Sequence, residues 1–184
     1  MDRTILACGG VSVRFGGVQA LADIHFEALR GDITAIIGPT GSGKSTLVQH
    51  LNALLLPTKG TVLVLDRTIT HTDKPKELKS LRKRVGLVFQ FPEYQLFEET
   101  VEKDVAFGPI NLGLPAEEVK ERVIRALELV GLSYEEIGQR SPFDLSGGQK
   151  RRVAIAGVIV LAQPILLIIG GMMFAVILDG GTRL

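Results

Sequence analysis

The fold is decided by the stretch Ile33-Thr34-Ala35-Ile36-Ile37-Gly38-Pro39-Thr40-Gly41-Ser42-Gly43-Lys44-Ser45-Thr46. Its opening residues, Ile33–Ile37, are apolar or β-branched, which predicts a buried central strand. Residues 38–45 then match the pattern G-x-x-x-x-G-K-[S/T] without a mismatch. Beyond them, Leu47, Leu51 and Leu54 recur at helical spacing, which predicts a helix to about Leu55 that Pro57 ends. Strand, glycine-rich loop and helix follow one another as a phosphate-binding loop requires.

Each residue type in this loop has a chemical reason. Glycines let the backbone curl so that successive N–H groups point at phosphate oxygens, and the following helix adds its positive N-terminal end. Lys44 would reach the β- and γ-phosphates, and Ser45 would offer its hydroxyl to Mg²⁺. A glycine-rich turn that only resembles the pattern is the alternative. The motif predicts a site for a nucleoside triphosphate with Mg²⁺, formed by Gly38, Pro39, Thr40, Gly41, Ser42, Gly43, Lys44, Ser45 and Thr46.

Composition and charge exclude several classes of protein. A hydrophobic fraction of 46% and a charged fraction of 22% are typical of a folded globular protein. The 21 basic and 20 acidic side chains leave a net charge of +1, which argues against binding nucleic acid through a basic surface. Cys8, the single cysteine, cannot form an internal disulfide, which fits a reducing cytoplasm. Met1 is not followed by the apolar run of a secretory signal.

Glycine and proline divide the rest of the α/β pattern. Alternating residues predict strands over 11–15 and 24–28, with a break at Gly16-Gly17. Further strands are expected over 61–65 and 85–89. A charge-rich region from about Phe91 to Asp144 follows, and it contains an amphipathic helix that Pro115 opens and Gly131 closes. The pattern indicates a helical lobe inserted into an α/β core.

A long uncharged run, Val153–Leu178, allows two interpretations. Its length exceeds the roughly 20 residues that span a bilayer. Gln163-Pro164 would interrupt a helix, which favours a packed helix followed by a buried strand over a membrane span.

A second motif, Leu145-Ser146-Gly147-Gly148-Gln149 followed by Lys150-Arg151-Arg152, selects among the phosphate-loop families. With it the chain resembles the ABC ATPases, whose signature is LSGGQ before a basic and then apolar helix. Ser146 is suited to cap that helix. The resemblance implies that Ser146, Gly147, Gly148 and Gln149 face ATP held by a second ATPase subunit, identical or related. A small kinase or GTPase would explain the loop but leave this motif unexplained.

Residues 85–109 resemble those of the energy-coupling-factor importers of vitamins, cobalt and nickel. The resemblance implies that Gln90 contacts Mg²⁺ or the attacking water, so Ser45 and Gln90 are the expected metal contacts. It also implies that Phe91, Leu96 and Phe97, beside Glu98 and Glu99, dock on a transmembrane coupling subunit, which works with a substrate-binding membrane subunit; core packing is the alternative. Phe15 falls where the family places an aromatic that stacks on adenine, although a lone strand Phe usually faces the core.

The resemblance ends after Pro164. The family expects a strand followed by an aspartate that orders Mg²⁺ and a glutamate that activates water. Here the strand 165–169 is followed by Gly170 and Gly171, so the general base is absent at Gly171. Asp66 also follows an apolar run but is interpreted as a turn residue. Asp179 could replace the aspartate only if a segment looped out.

The expected fold is therefore a P-loop NTPase, RecA-like core with an N-terminal antiparallel β subdomain and an inserted helical subdomain, the C-terminal part of the core being missing. Residues 1–184 form one ABC-type domain, with the core over 1–90 and 153–184 and the helical subdomain over 91–152. The expected function is that of an ATP-binding ATPase subunit of an energy-coupling-factor importer, peripheral on the cytoplasmic face of the membrane, without nucleic acid. A truncated or frameshifted, hydrolysis-deficient nucleotide-binding fragment is the alternative.

Overall fold

The computed structural model describes residues 4–170 and 173–178. Within them the chain divides into two compact units. The first runs to Leu87 and resumes at Gln163, and the second is Val88–Ala162. Each unit has a hydrophobic core of its own.

An antiparallel sheet forms one part of the first unit. It contains β1 (Thr4–Phe15), β2 (Val18–Leu29), β4 (Lys59–Val64) and β5 (Arg67–Ile69), in the order β2-β1-β4-β5. β1 and β2 form a hairpin in which Phe15 pairs with Val18 across Gly16-Gly17, as the sequence predicts. Several side chains of β1, among them Leu6, Val11 and Val13, enter the core.

A second sheet of the first unit contains β3 (Ile33–Ile37), β6 (Val85–Val88), β7 (Ile165–Gly170) and β8 (Met173–Leu178). The strand order is β3-β8-β7-β6, so β8 lies between β3 and β7 and runs antiparallel to both. β7 supplies Ile165, Leu167 and Ile169 to the core.

The prediction that Ile33–Ile37 is a buried central strand is wrong. β3 lies at an edge of its sheet, and Ile33 and Ile37 are 74% and 75% exposed. An apolar, β-branched run of this kind is typical of a strand that is buried on both faces. In the described part of the chain only the face that carries Ile36 meets the core.

Helix α1 (Lys44–Leu51) follows the glycine-rich loop, and a short helix α2 (Lys79–Arg82) precedes β6. The predicted end of α1 near Leu55 is wrong. The helix ends at Leu51, after which the N–H groups of Leu54 and Leu55 turn back to the Gln49 carbonyl at 2.9 and 3.0 Å. Leu47 and Leu51 enter the core, whereas Leu54 is exposed.

The second unit is helical. It contains α3 (Val101–Asn111), α4 (Ala116–Leu129), α5 (Tyr134–Ile137) and α6 (Gly147–Ile159), with 3₁₀ turns at Pro92–Gln95 and Pro142–Asp144. α4 is the amphipathic helix of the sequence pattern: Pro115 precedes it, and Val119, Val123 and Leu127 are buried. α6 continues past residue 152, where the helical lobe was expected to end.

The long uncharged run divides as the break at Gln163-Pro164 predicts. α6 ends at Ile159 and β7 begins at Ile165. Among the described residues, no helix has both the length and the apolar character needed to cross a membrane.

We expect Leu127→Ala to lower the free energy of unfolding of the second unit by about 2–5 kcal/mol, because the Leu127 side chain is fully buried and its removal leaves a cavity. Leu129→Ala is the matched control on the same helix. Its side chain is largely exposed, so the loss is expected to stay near 0.5 kcal/mol. Urea unfolding followed by circular dichroism measures both, and equal losses would contradict the position of this core.

Candidate nucleotide-binding site

The glycine-rich loop turns between β3 and α1 through two left-handed residues. Gly41 has a φ of +83° and Gly43 a φ of +88°, and the Ser42 N–H donates to the Pro39 carbonyl at 3.3 Å. The N–H groups of Gly41, Gly43, Ser45 and Thr46 have no hydrogen-bond partner among the described residues. α1 begins without a side-chain cap and without an acidic residue in its first turn. Such a helix N-terminus is suited to an anion.

Lys44 lies at the centre of this loop. Its side chain is 7% exposed, and its Nζ donates to the Gly38 and Pro39 carbonyls at 2.7 Å each and to Ser42 Oγ at 3.3 Å. These three acceptors are uncharged. Phosphate oxygens carry a full negative charge and would be stronger partners.

Gly43 fixes the loop against the first sheet. A Cβ at this position would lie 2.7 Å from the Ala20 carbonyl oxygen and 2.8 Å from Leu21 Cδ2, both on β2. Only glycine allows this approach together with the positive φ. The loop is therefore packed directly on the strand that carries Val18.

Phe15 lies at the end of β1, in the hairpin that β1 forms with β2. It is 52% exposed, so the alternative in which Phe15 faces the core does not hold, and its contact with adenine stays a prediction. Val18, its cross-strand neighbour, is also exposed. Together they form an apolar surface on the same strand pair that contacts Gly43.

The signature residues open α6 in the second unit. Ser146 is the N-cap and forms a capping box with Gln149: Ser146 Oγ accepts from the Gln149 N–H at 3.3 Å, and Gln149 Oε1 accepts from the Ser146 N–H at 3.0 Å. The predicted cap is confirmed. Gly147 and Gly148 are exposed, and a Cβ on either would meet nothing within 4 Å. Their N–H groups have no partner among the described residues.

The segment after β6 gives a mixed result. Gln90 is exposed and belongs to the second unit, whereas Ser45 belongs to the first. Phe91 and Phe97 are exposed, but Leu96 is buried in the helical core, so the prediction that Leu96 is a docking residue is wrong and its core alternative holds. The 3₁₀ turn after Phe91 directs Leu96 inward.

Two further exposed aromatics belong to this surface and were not predicted. Phe107 of α3 meets Phe97 edge to face at 4.9 Å, and Tyr94 lies 6.0 Å from Phe91. We call the set Phe91, Tyr94, Phe97 and Phe107 the aromatic surface. Tyr94 is visible in the sequence beside Phe91, but no local pattern pairs Phe97 with a residue on another helix.

Of the two acidic candidates, Asp66 and Asp179, the structure describes only Asp66. Asp66 lies in the turn between β4 and β5, as predicted, and its hydrogen bond with Arg84 at 2.7 Å lowers the pKa of its carboxyl. Gly170 ends β7. Gly171 and Asp179 lie outside the described residues. Among the described residues, no group of three His, Cys, Asp or Glu side chains is placed to hold a metal.

This fold and loop define the chain as a P-loop nucleotide-binding protein. The family model of the ABC transporter matches residues 21–168. The chain belongs to the ABC transporter family.

Known relatives support this assignment. The energy-coupling factor transporter ATP-binding protein EcfA2 of Geobacillus kaustophilus is 57% identical over 150 residues, covering 82% of this chain and 51% of the relative. EcfA2 of Lactococcus lactis subsp. lactis is 59% identical over 150 residues, covering 82% and 52%. The chain thus spans about half the length of the curated relatives it matches.

Solved structures agree on the fold. CbiO1 of Clostridium perfringens, described as part of the ABC transporter complex cbiONQ, superposes with a TM-score of 0.81 and 39% identity over 91% of this chain and 65% of its own. A dimeric ATP-binding cassette bound to ADP and Pi gives a TM-score of 0.75 and 30% identity, over 89% of this chain and 72% of its own.

Gly43→Ala should destabilise the first unit more than Gly41→Ala. Both residues have a positive φ, which costs an L-residue about 1–2 kcal/mol. A methyl group at Gly41 enters open space, whereas at Gly43 it meets backbone and side chain of β2 and adds about 1–3 kcal/mol of overpacking. Urea unfolding of the two variants checks the difference, and identical midpoints would contradict the packing of the loop on β2.

Proposed function

We propose that this chain is the ATP-binding subunit of an energy-coupling factor ABC importer, in which ATP binding and hydrolysis drive solute uptake. One observation carries the proposal: a single chain holds both an uncapped phosphate loop around Lys44 and an exposed signature helix capped by Ser146. The first suits the chain's own nucleotide, and the second suits a nucleotide held by another subunit. The relatives named above are ATP-binding proteins of this transporter class.

In the first unit the free N–H groups of Gly41, Gly43, Ser45 and Thr46 would bind the phosphates. Lys44 would exchange its carbonyl partners for the β- and γ-phosphate oxygens. Phe15 and Val18 would contact the adenine ring through their exposed apolar surface. Mg²⁺, when bound, would offset phosphate charge, and Ser45 would supply a hydroxyl ligand to it, with Gln90 as the second contact.

The signature of one chain would complete the site of a second ATPase subunit. Gly147 and Gly148 expose backbone N–H groups at the positive end of α6, and neither carries a side chain that would block an approaching phosphate. The capping box satisfies Ser146 and Gln149 internally and leaves these donors available. A dimer of this kind holds two nucleotides between two chains.

The aromatic surface would dock on a transmembrane subunit, which would place the protein at the cytoplasmic face of the membrane. Its rings are exposed, and acidic Glu98 and Glu99 lie beside Phe97. Glu99 pairs with Lys103 at 2.7 Å, and this hydrogen bond lowers the pKa of its carboxyl. Apolar anchors with a charged rim are typical of protein interfaces. The solute would be bound by a separate membrane subunit.

A second candidate function is a nucleotide-binding fragment that does not hydrolyse ATP. Gly170 favours it, because β7 ends in glycine where the family expects the aspartate that orders Mg²⁺. Loss of a general base costs on the order of 10²–10⁴-fold in rate. The phosphate loop is intact, so binding should survive when turnover does not.

Lys44→Ala should weaken Mg·ATP binding roughly tenfold to a hundredfold, because it removes the only side-chain cation of the loop and its charge-assisted bonds to phosphate. Lys79→Ala is the matched control, since Lys79 is an exposed lysine of α2 remote in sequence from the loop. Calorimetric titration measures both affinities. Equal affinity of the two variants would contradict the assigned site.

ATP hydrolysis by the wild-type chain distinguishes a working transporter subunit from a fragment that only binds nucleotide. Phosphate release by the wild-type chain, alone or mixed with a related ATPase that carries both carboxylates, identifies a working subunit. ATP that stays intact while bound in both preparations identifies the binding fragment.

A further inference from the structure

Helix α4 ends in a turn that leaves two carbonyl groups without helical partners. Gly131 has a φ of +69°, its N–H donates to the Glu128 carbonyl at 2.9 Å, and the Leu132 N–H donates to the Leu127 carbonyl at 3.0 Å. This is a Schellman motif, in which these two hydrogen bonds satisfy the carbonyl groups of Leu127 and Glu128 in the last turn. The carbonyl groups of Val130 and Gly131 follow the motif and are not bonded by it.

Arg152 of α6 binds both of these carbonyls. Its Nη1 donates to Gly131 O at 3.0 Å and to Val130 O at 3.4 Å. The guanidinium group therefore places a positive charge at the negative C-terminal end of α4, where a cation is stabilising. Arg151, its neighbour, is exposed, and its side chain makes no hydrogen bond or ion pair with any described residue.

The opposite ends of the two helices are joined in the same way. Arg122 of α4 donates through Nη1 to the carbonyl of Val160, the C-cap of α6, at 3.5 Å, and Glu118 holds its guanidinium group at 2.8 Å. α4 and α6 are thus antiparallel, and each supplies an arginine to the C-terminal carbonyls of the other. Buried Val123, Leu127, Val153 and Ala156 belong to the same core.

The contact between Arg152 and the end of α4 lies close to the start of the signature helix. Arg152 lies five positions after Gly147, the first residue of α6, or about 7.5 Å along the helix axis. The capping box is local to Ser146 and Gln149 and fixes only how the helix begins. The direction in which the N–H groups of Gly147 and Gly148 point depends on how α6 is held. Of the α6 side chains that hydrogen-bond to another helix, Arg152 is the nearest in sequence to these glycines.

We propose that Arg152 is a positioning residue, which aims the signature N–H groups at the nucleotide of a second subunit by fixing the first turns of α6 to the end of α4. The inference rests on the proposed function, because it requires that the signature contacts a nucleotide in trans. Arg152 itself touches no nucleotide in this account. Its effect is on the association of two ATP-bound chains and not on nucleotide binding by the chain's own loop.

The test compares Arg152→Ala, Arg152→Lys and Arg151→Ala with the wild-type chain. Sedimentation equilibrium with Mg·ATP measures the association of two copies, and titration at low protein concentration measures ATP affinity. We expect Arg152→Ala to weaken ATP-dependent association roughly tenfold, the size expected when charge-assisted hydrogen bonds are lost. ATP affinity should change less than about twofold. Arg152→Lys should recover part of the loss, because one ammonium group can replace one of the two bonds.

Arg151→Ala removes the same charge from the adjacent position and is expected to associate as the wild type does. Equal weakening by Arg151→Ala and Arg152→Ala would overturn the inference, since it would show an effect of net charge alone. Equal loss of ATP affinity and association in Arg152→Ala would also overturn it, as the sign of a general structural defect. A wild-type chain that binds ATP and does not associate with a second copy would refute the trans role of the signature between identical chains, which belongs to the proposed function.

Discussion

The close approach of Gly43 to β2 is the constraint on which the nucleotide-binding side of the molecule depends. The loop must curl so that its N–H groups face inward, and this curl needs left-handed backbone at Gly41 and Gly43. Packing the same glycine on the Ala20 carbonyl and Leu21 fixes the curled loop to the first sheet. Phe15 and Val18 are carried by the two strands of that sheet hairpin. One contact thus links the site for the phosphates to the surface suited to the adenine.

The two helix N-termini that the proposed function assigns to ATP are built in opposite ways. α1 starts at a left-handed glycine without a side-chain cap, so the N–H groups of Ser45 and Thr46 have no hydrogen-bond partner among the described residues. α6 starts at a complete capping box, which stabilises the helix while Gly147 and Gly148 still expose their N–H groups. The N–H groups at the start of α1 are suited to a nucleotide bound by the same chain. The N-terminus of α6 is stable by itself and offers donors outward, which is what contact with a ligand in trans requires.

Local patterns in the sequence predicted local structure well. The glycine-rich turn before α1, the hairpin across Gly16-Gly17, the helix between Pro115 and Gly131 and the Ser146 cap each depend on residues close together in the chain, and each was found. The catalytic and metal-binding roles of these residues stay predictions. So does the division of the chain at residues 90 and 152.

The errors share a physical cause, which is that burial depends on distant parts of the chain. Ile33–Ile37 has the composition of a buried strand, yet its exposure is decided by what covers the second sheet. Leu54 and Leu96 both continue apolar patterns. Leu54 is exposed because α1 ends before it, whereas the 3₁₀ turn after Phe91 places Leu96 in the core. The bond from Arg152 to Gly131 joins residues 21 positions apart and has no periodic signature.

The central claim is that one chain offers two separate sets of backbone donors to ATP, one for its own nucleotide and one for that of another copy. Amide ¹H–¹⁵N spectra recorded during titration with Mg·ATP test it directly. The account predicts that the Gly41, Gly43 and Ser45 amides shift with ATP at any protein concentration. The Gly147 and Gly148 amides should shift only when the protein concentration is high enough for two ATP-bound chains to associate. Signature amides that shift together with the loop amides at all dilutions, or loop amides that never shift, would contradict it.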